Sequence, residues 1–501
     1  ALQDLVVAGL VIANDAGVIV AQLADAVPSV DNGRWKVFPE GRMQTSWTIR
    51  PNVTWQDGTP LTTADLVFTT EVEQDPEMGF NSSAAYELVE SVEATDDRTV
   101  TVTWKQPYIE ADFMFSAMFA LPMPKHLLEA TYRGDKANFF AMPYWTDAFI
   151  GSGPFRVKQW VPDSFVVIGA YDQYVLGRPK IDEIEVRFIP DPNTLMVNLL
   201  ADGQLTLGRA LSLAQALQVE QQWQTGHVNT RLYGWLPLNP QFINPDPAVV
   251  ANLQFRRAVF ESLDRQQLVE SLQAGRTAVA DSWVDPNLPE HAAIAPSIVR
   301  YPYDPQAAIR AITDLGYARQ ADGFFYDARN QKLSVQIQTT AQNAMHEPAS
   351  AAIADAWQRI GVAVSVDIVP PQRAQDREYR ATFPSFELIE LATDLSPRMV
   401  NRWHSRQTPL PQNRFVVTGN GSRYQNPALD GAIDRYLTTI PRDARLQALA
   451  EMIHIQTDQL SAMGLIHTVT PTLVDNRLQH VTGKGTRSTE SWNAQEWELV
   501  S

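Results

Sequence analysis

Trp55-Gln-Asp-Gly-Thr-Pro-Leu-Thr-Thr-Ala-Asp-Leu-Val-Phe68 reads as a corner between two elements. A strand ends at Trp55, and Asp57-Gly58 turns the chain, because glycine takes a positive φ without a steric cost. Thr62 with Asp65 reads as a capping box and predicts a helix from Ala64 to Glu73. Working outward, strand-like alternation marks Gln44–Ile49, Thr99–Trp104, Phe165–Ile168, Ile184–Ile189, Leu333–Gln338 and Val362–Ile368. Helical periodicity marks Thr194–Leu200, Leu253–Leu272, Pro305–Leu315, Ala349–Ile360 and Arg442–Leu460. Asp304-Pro305 places an N-cap before a proline at the first helical position. Gly361 separates a helix from a Val-rich strand. Helices and strands alternate through the second half, which predicts an α/β protein with βαβ units there.

Composition narrows the function. At 501 residues, with 45% apolar and 19% charged side chains, the chain has material for about three packed units. Its net charge of −17 repels polyanions, and no basic patch offsets it, so no nucleic-acid partner is expected. The absence of cysteine excludes disulfides, thiolate metal sites and a cysteine nucleophile. The apolar run Leu5–Ala13 is broken by Asn14 and Asp15, well short of the about 20 residues that a membrane span needs. No basic region precedes it, so it does not read as a signal peptide.

A search for catalytic motifs finds none. The eight histidines include no i, i+4 metal pair, and His346-Glu347 is followed by Pro348, not by the rest of a zincin helix. No serine stands in a nucleophile elbow. Val481-Thr-Gly-Lys-Gly485 lacks both the first glycine and the Mg²⁺-binding hydroxyl of a phosphate loop. Paired carboxylates need not be close in sequence, so a secreted hydrolase stays open as the alternative class. No enzyme activity and no cofactor or metal are expected.

Several stretches resemble signatures of the family 5 extracellular solute-binding proteins, the oligopeptide-, dipeptide- and nickel-binding receptors of ABC importers. The corner at Trp55–Phe68 is one. Ile150-Gly-Ser-Gly-Pro-Phe-Arg-Val157 is similar to the family's return from an inserted subdomain. Tyr174-Val-Leu-Gly-Arg-Pro-Lys-Ile-Asp-Glu-Ile184, Ile189-Pro-Asp-Pro-Asn-Thr194 and Leu200-Ala-Asp-Gly-Gln204 follow in family order. Phe255-Arg-Arg-Ala-Val259 with Asp264-Arg265, Tyr303-Asp-Pro-Gln306, and Asn426-Pro-Ala-Leu-Asp430 complete the series. Leu5–Asp15 resembles a helix that the family places after an opening strand, and that opening is absent here. An unpaired sheet edge in the first lobe is the expected consequence.

The resemblance implies an α/β, two-lobed periplasmic-binding-protein-like clamshell (type II, cluster C) with an additional inserted subdomain in the first lobe. Lobe I would comprise 1–10, 149–243 and 467–501, the inserted subdomain 11–148, and lobe II 244–466. The chain would cross between lobes near Leu238–Asn244 and Leu465–Thr470. Function would be capture of a ligand, most simply a peptide, by closure of the lobes. Delivery would be to a membrane complex of two permeases and two ATPases. An oligosaccharide, an opine or a metal chelate is the alternative ligand, and a sensor the alternative recipient. A monomer is expected, periplasmic or tethered to the outer face of the membrane as a lipoprotein.

In the peptide-binding members an aspartate after a second-lobe strand pairs with the peptide's α-amino group. Asp394, in Glu387-Leu-Ile-Glu-Leu-Ala-Thr-Asp-Leu-Ser-Pro397, matches it, although Leu391 stands at the family's tryptophan position and the loop is shorter. A carboxylate suits an ammonium group; the plain reading is a turn residue before proline. Trp283 and Trp403 are candidate stacking platforms or core residues. Arg398 and Arg402 could pair with a ligand carboxylate or face solvent. His404 could ligate a metal chelate.

Overall fold

A computed structural model of the chain describes residues 2–79, 84–201, 205–341, 343–416 and 420–500. The Asp202–Gln204 end of one signature lies outside them. The chain forms two compact units, residues 1–231 with 470–501 and residues 232–469. The crossings were expected near 240 and 468. The division falls inside two long strands, Gly226–Pro240 and Met463–Asp475, the second cut at 469–470 lying within the expected Leu465–Thr470; periodicity alone does not reveal these strands because most of their residues are buried.

The first unit holds a four-stranded antiparallel sheet, in the order Trp35–Val37, Met43–Thr48, Thr99–Trp104, Val89–Ala94, and a three-stranded one of Phe155–Val161, Phe165–Ala170 and Glu183–Arg187. At the opening motif, a single bridge between Thr54 and Pro60 stands where a strand end was expected. Gly58 takes φ +90°, closing the turn. The helix then runs Thr63–Gln74, and the Asp65 carboxylate accepts the Thr62 amide at 2.8 Å.

Gln56 explains why this corner and the Gly151-Ser-Gly-Pro-Phe155 segment accompany each other. Its side-chain amide donates to the carbonyls of Val6 (3.2 Å), Gly153 (3.0 Å) and Phe155 (2.7 Å), and its Oε1 accepts the Gly151 amide at 2.9 Å. The two chain segments pass so close that a Cβ on Gly151 would lie 1.9 Å from the Val6 carbonyl oxygen. Only glycine fits there.

In the second unit, Ser334–Thr340, the helix His346–Ile360 and Ala363–Val369 form the expected parallel βαβ unit, with Gly361 at φ +97°. The expected helix at Leu253–Leu272 is two, Leu253–Glu261 and Arg265–Gln273. Asp264 breaks it by capping the second, accepting the Gln267 amide at 3.0 Å. The apolar face of the sheet packs Leu236, Leu238, Ile337, Phe386 and Leu388 against Phe255, Val259 and Trp357.

Candidate functional site

The opposite face of that sheet is polar. Asn239, Glu387, Gln338 and Asp367 stand in register across four neighbouring strands, so their side chains share one face. Asn239, Glu387 and Gln338 are buried. The Glu387 carboxylate takes the Asn239 amide and the Arg380 guanidinium, each at 3.5 Å, while Tyr379 donates its hydroxyl to Asp367. A Cβ on Gly421 would come within 3.1 Å of Glu387 Oε2, which places the following loop directly over this carboxylate. Burial pushes the Glu387 carboxyl up, against the opposing pull of Arg380 and Asn239. Among the described residues, Asn239 Oδ1 and Gln338 Oε1 are buried without a hydrogen-bond partner.

The segment after this strand carries the expected residues. Leu391–Ala392 pairs with Gly234 and Trp235; Gly234 is required there, since its Cβ would stand 2.5 Å from the Leu391 carbonyl oxygen. Asp394 is half-buried, and its Oδ1 accepts the Ser396 amide at 2.8 Å. It therefore is the turn residue that the plain reading describes, with its carboxylate held in one orientation. Ser396 caps the short helix Pro397–Asn401, which leads into Arg402 and Trp403. Burial lowers the Arg402 guanidinium to about 10, opposed by the nearby negative charges of Glu387 and Asp394. Arg402 lies 5.5 Å from the centre of the Trp403 ring.

Trp403 and Trp283 are 5% and 3% exposed, so both are buried, with ring centres 6.4 Å apart. Trp283 is tied down by a 2.9 Å bond from its Nε1 to Gln456, and its carbonyl accepts the Thr393 hydroxyl. Trp403 Nε1 has no partner among the described residues. Trp235, 6.3 Å from Trp403, completes the aromatic group. The structure thus gathers Asp394, Arg402, Trp283 and Trp403. Arg398 is exposed on the helix. His404 is turned elsewhere: its Nδ1 accepts the Arg406 amide at 3.0 Å, and the ring faces Asp430 and Asp434. Among the described residues, no cluster of three or more histidine, aspartate or glutamate side chains is placed to hold a metal ion.

Sequence reasoning missed Glu387, Asn239, Gln338 and Trp235. One signal was present: Glu387 and Glu390 interrupt the apolar run Phe386-Glu-Leu-Ile-Glu390, and a charge in a buried strand calls for a partner. Glu390 has its own. Asn343 donates to its carboxylate, and its backbone amide donates to His346 Nε2 at 3.1 Å.

His467, on the strand Met463–Asp475, is 3% exposed, with its ring bonded to the Gly234 backbone. Burial, helped by the proximity of His291, lowers it to about 4. The unfolded chain, with an imidazole near 6.5, binds this proton first. Stability contributed by neutral His467 is therefore complete above about pH 6.5 and is lost as the pH falls toward 4, by roughly 3 kcal/mol. Urea unfolding midpoints should fall less steeply over this window in His467→Gln than in the unaltered protein; equal slopes would refute the assignment.

The model of the bacterial extracellular solute-binding proteins, family 5 Middle, matches residues 27–399. The chain is 24% identical over 354 residues to the oligopeptide-binding protein AppA of Bacillus subtilis, covering 69% of this chain and 60% of that protein. The chain thus spans less than two thirds of that relative's length. A putative ABC transporter peptide-binding protein of Brucella ovis is 23% identical over 82% of this chain and 74% of its own length. Among solved structures, a substrate-binding protein from Sinorhizobium meliloti superposes with a TM-score of 0.80 at 18% identity, covering 100% of this chain and 95% of the other. AppA in complex with a nonapeptide does so at 0.65 and 20%, covering 100% and 94%. NikZ of Campylobacter jejuni with Ni(L-His) does so at 0.71 and 19%, covering 99% and 94%. The family signatures read along the sequence, the mixed α/β fold of two units and the match over 27–399 agree: the chain belongs to the bacterial extracellular solute-binding proteins of family 5.

Proposed function

We propose that the protein is the extracytoplasmic solute-binding component of an ABC importer and that its solute is a peptide. Its partners are then a membrane complex of two permeases and two ATPases, and it works as a monomer, in the periplasm or lipid-tethered at the outer face of the membrane. Binding is its whole task, with no bond made or broken. Support from relatives is the word peptide in the names of the Bacillus and Brucella proteins and the nonapeptide bound to AppA.

The observation that carries the reading is the polar and aromatic surface around Glu387, Asp394 and Trp403. Buried polar atoms are almost always hydrogen-bonded, to protein, water or ligand. Asn239 Oδ1, Gln338 Oε1 and Trp403 Nε1 are buried and lack protein partners among the described residues. A peptide supplies both what such acceptors and donors need and, at its α-amino end, a cation for Asp394.

Mass spectrometry of small molecules released on denaturing the purified protein tests this. Peptides are expected, and after stripping they should rebind saturably in calorimetry and be recovered intact. Release of saccharides or metal chelates alone, or hydrolysis of the bound peptide, would overturn the proposal.

A further inference from the structure

Glu387 is a buried carboxylate beside the proposed peptide site, and its neighbours suit two different protonation states. Ionised, it faces two guanidinia. Arg380, on the helix Arg377–Ala381, stands at 3.5 Å, and Arg402 follows the helix Pro397–Asn401. The Asn239 side-chain amide adds a contact, also at 3.5 Å. A well-formed charge-assisted bond is about 2.7–2.9 Å long, so both measured contacts are slack. Gly421 approaches with no side chain of its own.

Protonated, Glu387 becomes a donor, and acceptors stand on both sides of it. Asn239 and Gln338 are its register partners on the two neighbouring strands. Asn239 Oδ1 and Gln338 Oε1 are both buried without a partner among the described residues. A carboxyl O–H can serve one of them, and a carboxylate neither. Asp367, one strand beyond Gln338, already takes the Tyr379 hydroxyl. Burial pushes Glu387 above its ordinary 4.5, against the pull of Arg380, Asn239 and Arg402, so the exchange between the two states falls above that pH. Arg402 carries the outcome to Asp394. Both carboxylates balance its guanidinium, and Arg398 repels it. A buried cation needs its counter-charge, so loss of one carboxylate throws it on the other.

We propose that Glu387 is a positioning residue for the peptide and makes its affinity depend on pH. Ionised Glu387 holds the charge of Arg402, and Asp394 is left to the peptide's α-amino group. Protonated Glu387 gives its O–H to Gln338 or Asn239, and Arg402 turns to Asp394 and competes with the peptide. Peptide N–H groups and the Glu387 proton also compete for the same two oxygens. Both effects have one sign: the peptide expels the proton, and acid expels the peptide. This inference rests on the peptide reading of the same surface. Charges spaced by one guanidinium, at an effective dielectric constant of about 20, couple by on the order of tenfold in affinity.

Calorimetry with a nonapeptide of alanine and serine tests this between pH 5 and 7, where both ends of the peptide keep their charges. Affinity should rise about tenfold from pH 5 to pH 7. Titrations repeated in buffers of different protonation enthalpy should count about half a proton released at the midpoint, the number that a tenfold coupling gives. Glu387→Gln keeps the shape and stays uncharged. It should bind at pH 7 as weakly as the unaltered protein does at pH 5, with a flat profile and no proton released. Constant affinity without proton release in the unaltered protein overturns the proposal and leaves the peptide reading standing, and it decides the matter even if Glu387→Gln fails to fold. Proton release that persists in Glu387→Gln overturns it too, by assigning the linkage to another group. No binding of the nonapeptide at any pH, with no peptide released on denaturation, sinks the peptide reading and this inference with it.

Discussion

Asp394→Ala is expected to lower peptide affinity at least ~100-fold. The carboxylate is oriented before any ligand arrives, because the Ser396 amide holds Oδ1 at 2.8 Å, so little ordering entropy remains to be lost on binding. A peptide's α-amino group that docks on it leaves water. Removing one partner of a desolvated pair costs about 3–5 kcal/mol, because the other charge is left uncompensated. Asp394→Asn separates charge from shape. It keeps an acceptor for Ser396 but loses the ion pair, so calorimetry should record nearly the same loss of affinity at an unchanged melting temperature. N-acetylated peptides should bind the unaltered protein equally poorly. Unchanged affinity in both variants, or tighter binding of an uncharged sugar than of any peptide, would falsify the assignment.

Arg256→Ala is expected to destabilise the second unit by roughly 3–5 kcal/mol, with a fall in melting temperature on the order of 10 °C. Arg256 is 2% exposed, and its bonds run to backbone carbonyls: Val250 at 3.0 Å, Ala251 at 2.7 Å and Gln459 at 2.9 Å. Its guanidinium also lies 4.5 Å from the centre of the Phe242 ring. Burial lowers it to about 10, which still leaves it charged at neutral pH. Truncation leaves three carbonyls without their charge-assisted donor, that of Val250 buried and those of Ala251 and Gln459 partly so. Lysine restores the charge but not the planar fork, so Arg256→Lys should recover at most about half of the loss. A melting curve for Arg256→Ala within 2 °C of the unaltered protein, a shift of less than about 1 kcal/mol, would refute this account.

Arg256 also shows how the family signatures act. Arg256 and Arg265, both in the Phe255–Arg265 signature, turn their guanidinia to backbone carbonyls of neighbouring elements, Arg256 to Val250, Ala251 and Gln459 and Arg265 to Gly464 and Tyr301 at 3.1 Å each. Gln56 does the same from the opening motif. The signatures are scaffold, which is why they identified the fold without locating a ligand. The polar row of Asn239, Glu387 and Gln338 left no comparable mark in the sequence.

The features legible from the chain alone lie within a few residues of their cause. The turn at Asp57-Gly58, the Thr62–Asp65 cap, the Asp304 cap, the Gly361 stop and the exclusion of thiol chemistry all follow from local sterics, local hydrogen bonds or composition. So does the order of the signatures, and with it the family. Tertiary structure alone decided the rest. The break at Asp264 came from a cap that helical periodicity overrode on paper. The burial of Trp283 and Trp403 came from packing against each other and Gln456. The row across Asn239, Glu387 and Gln338 depends on strand register over some 150 residues of sequence, and a slip of one residue would turn every one of those side chains to the apolar core. Register is set by the summed burial of whole strands, a quantity that no short stretch of sequence contains.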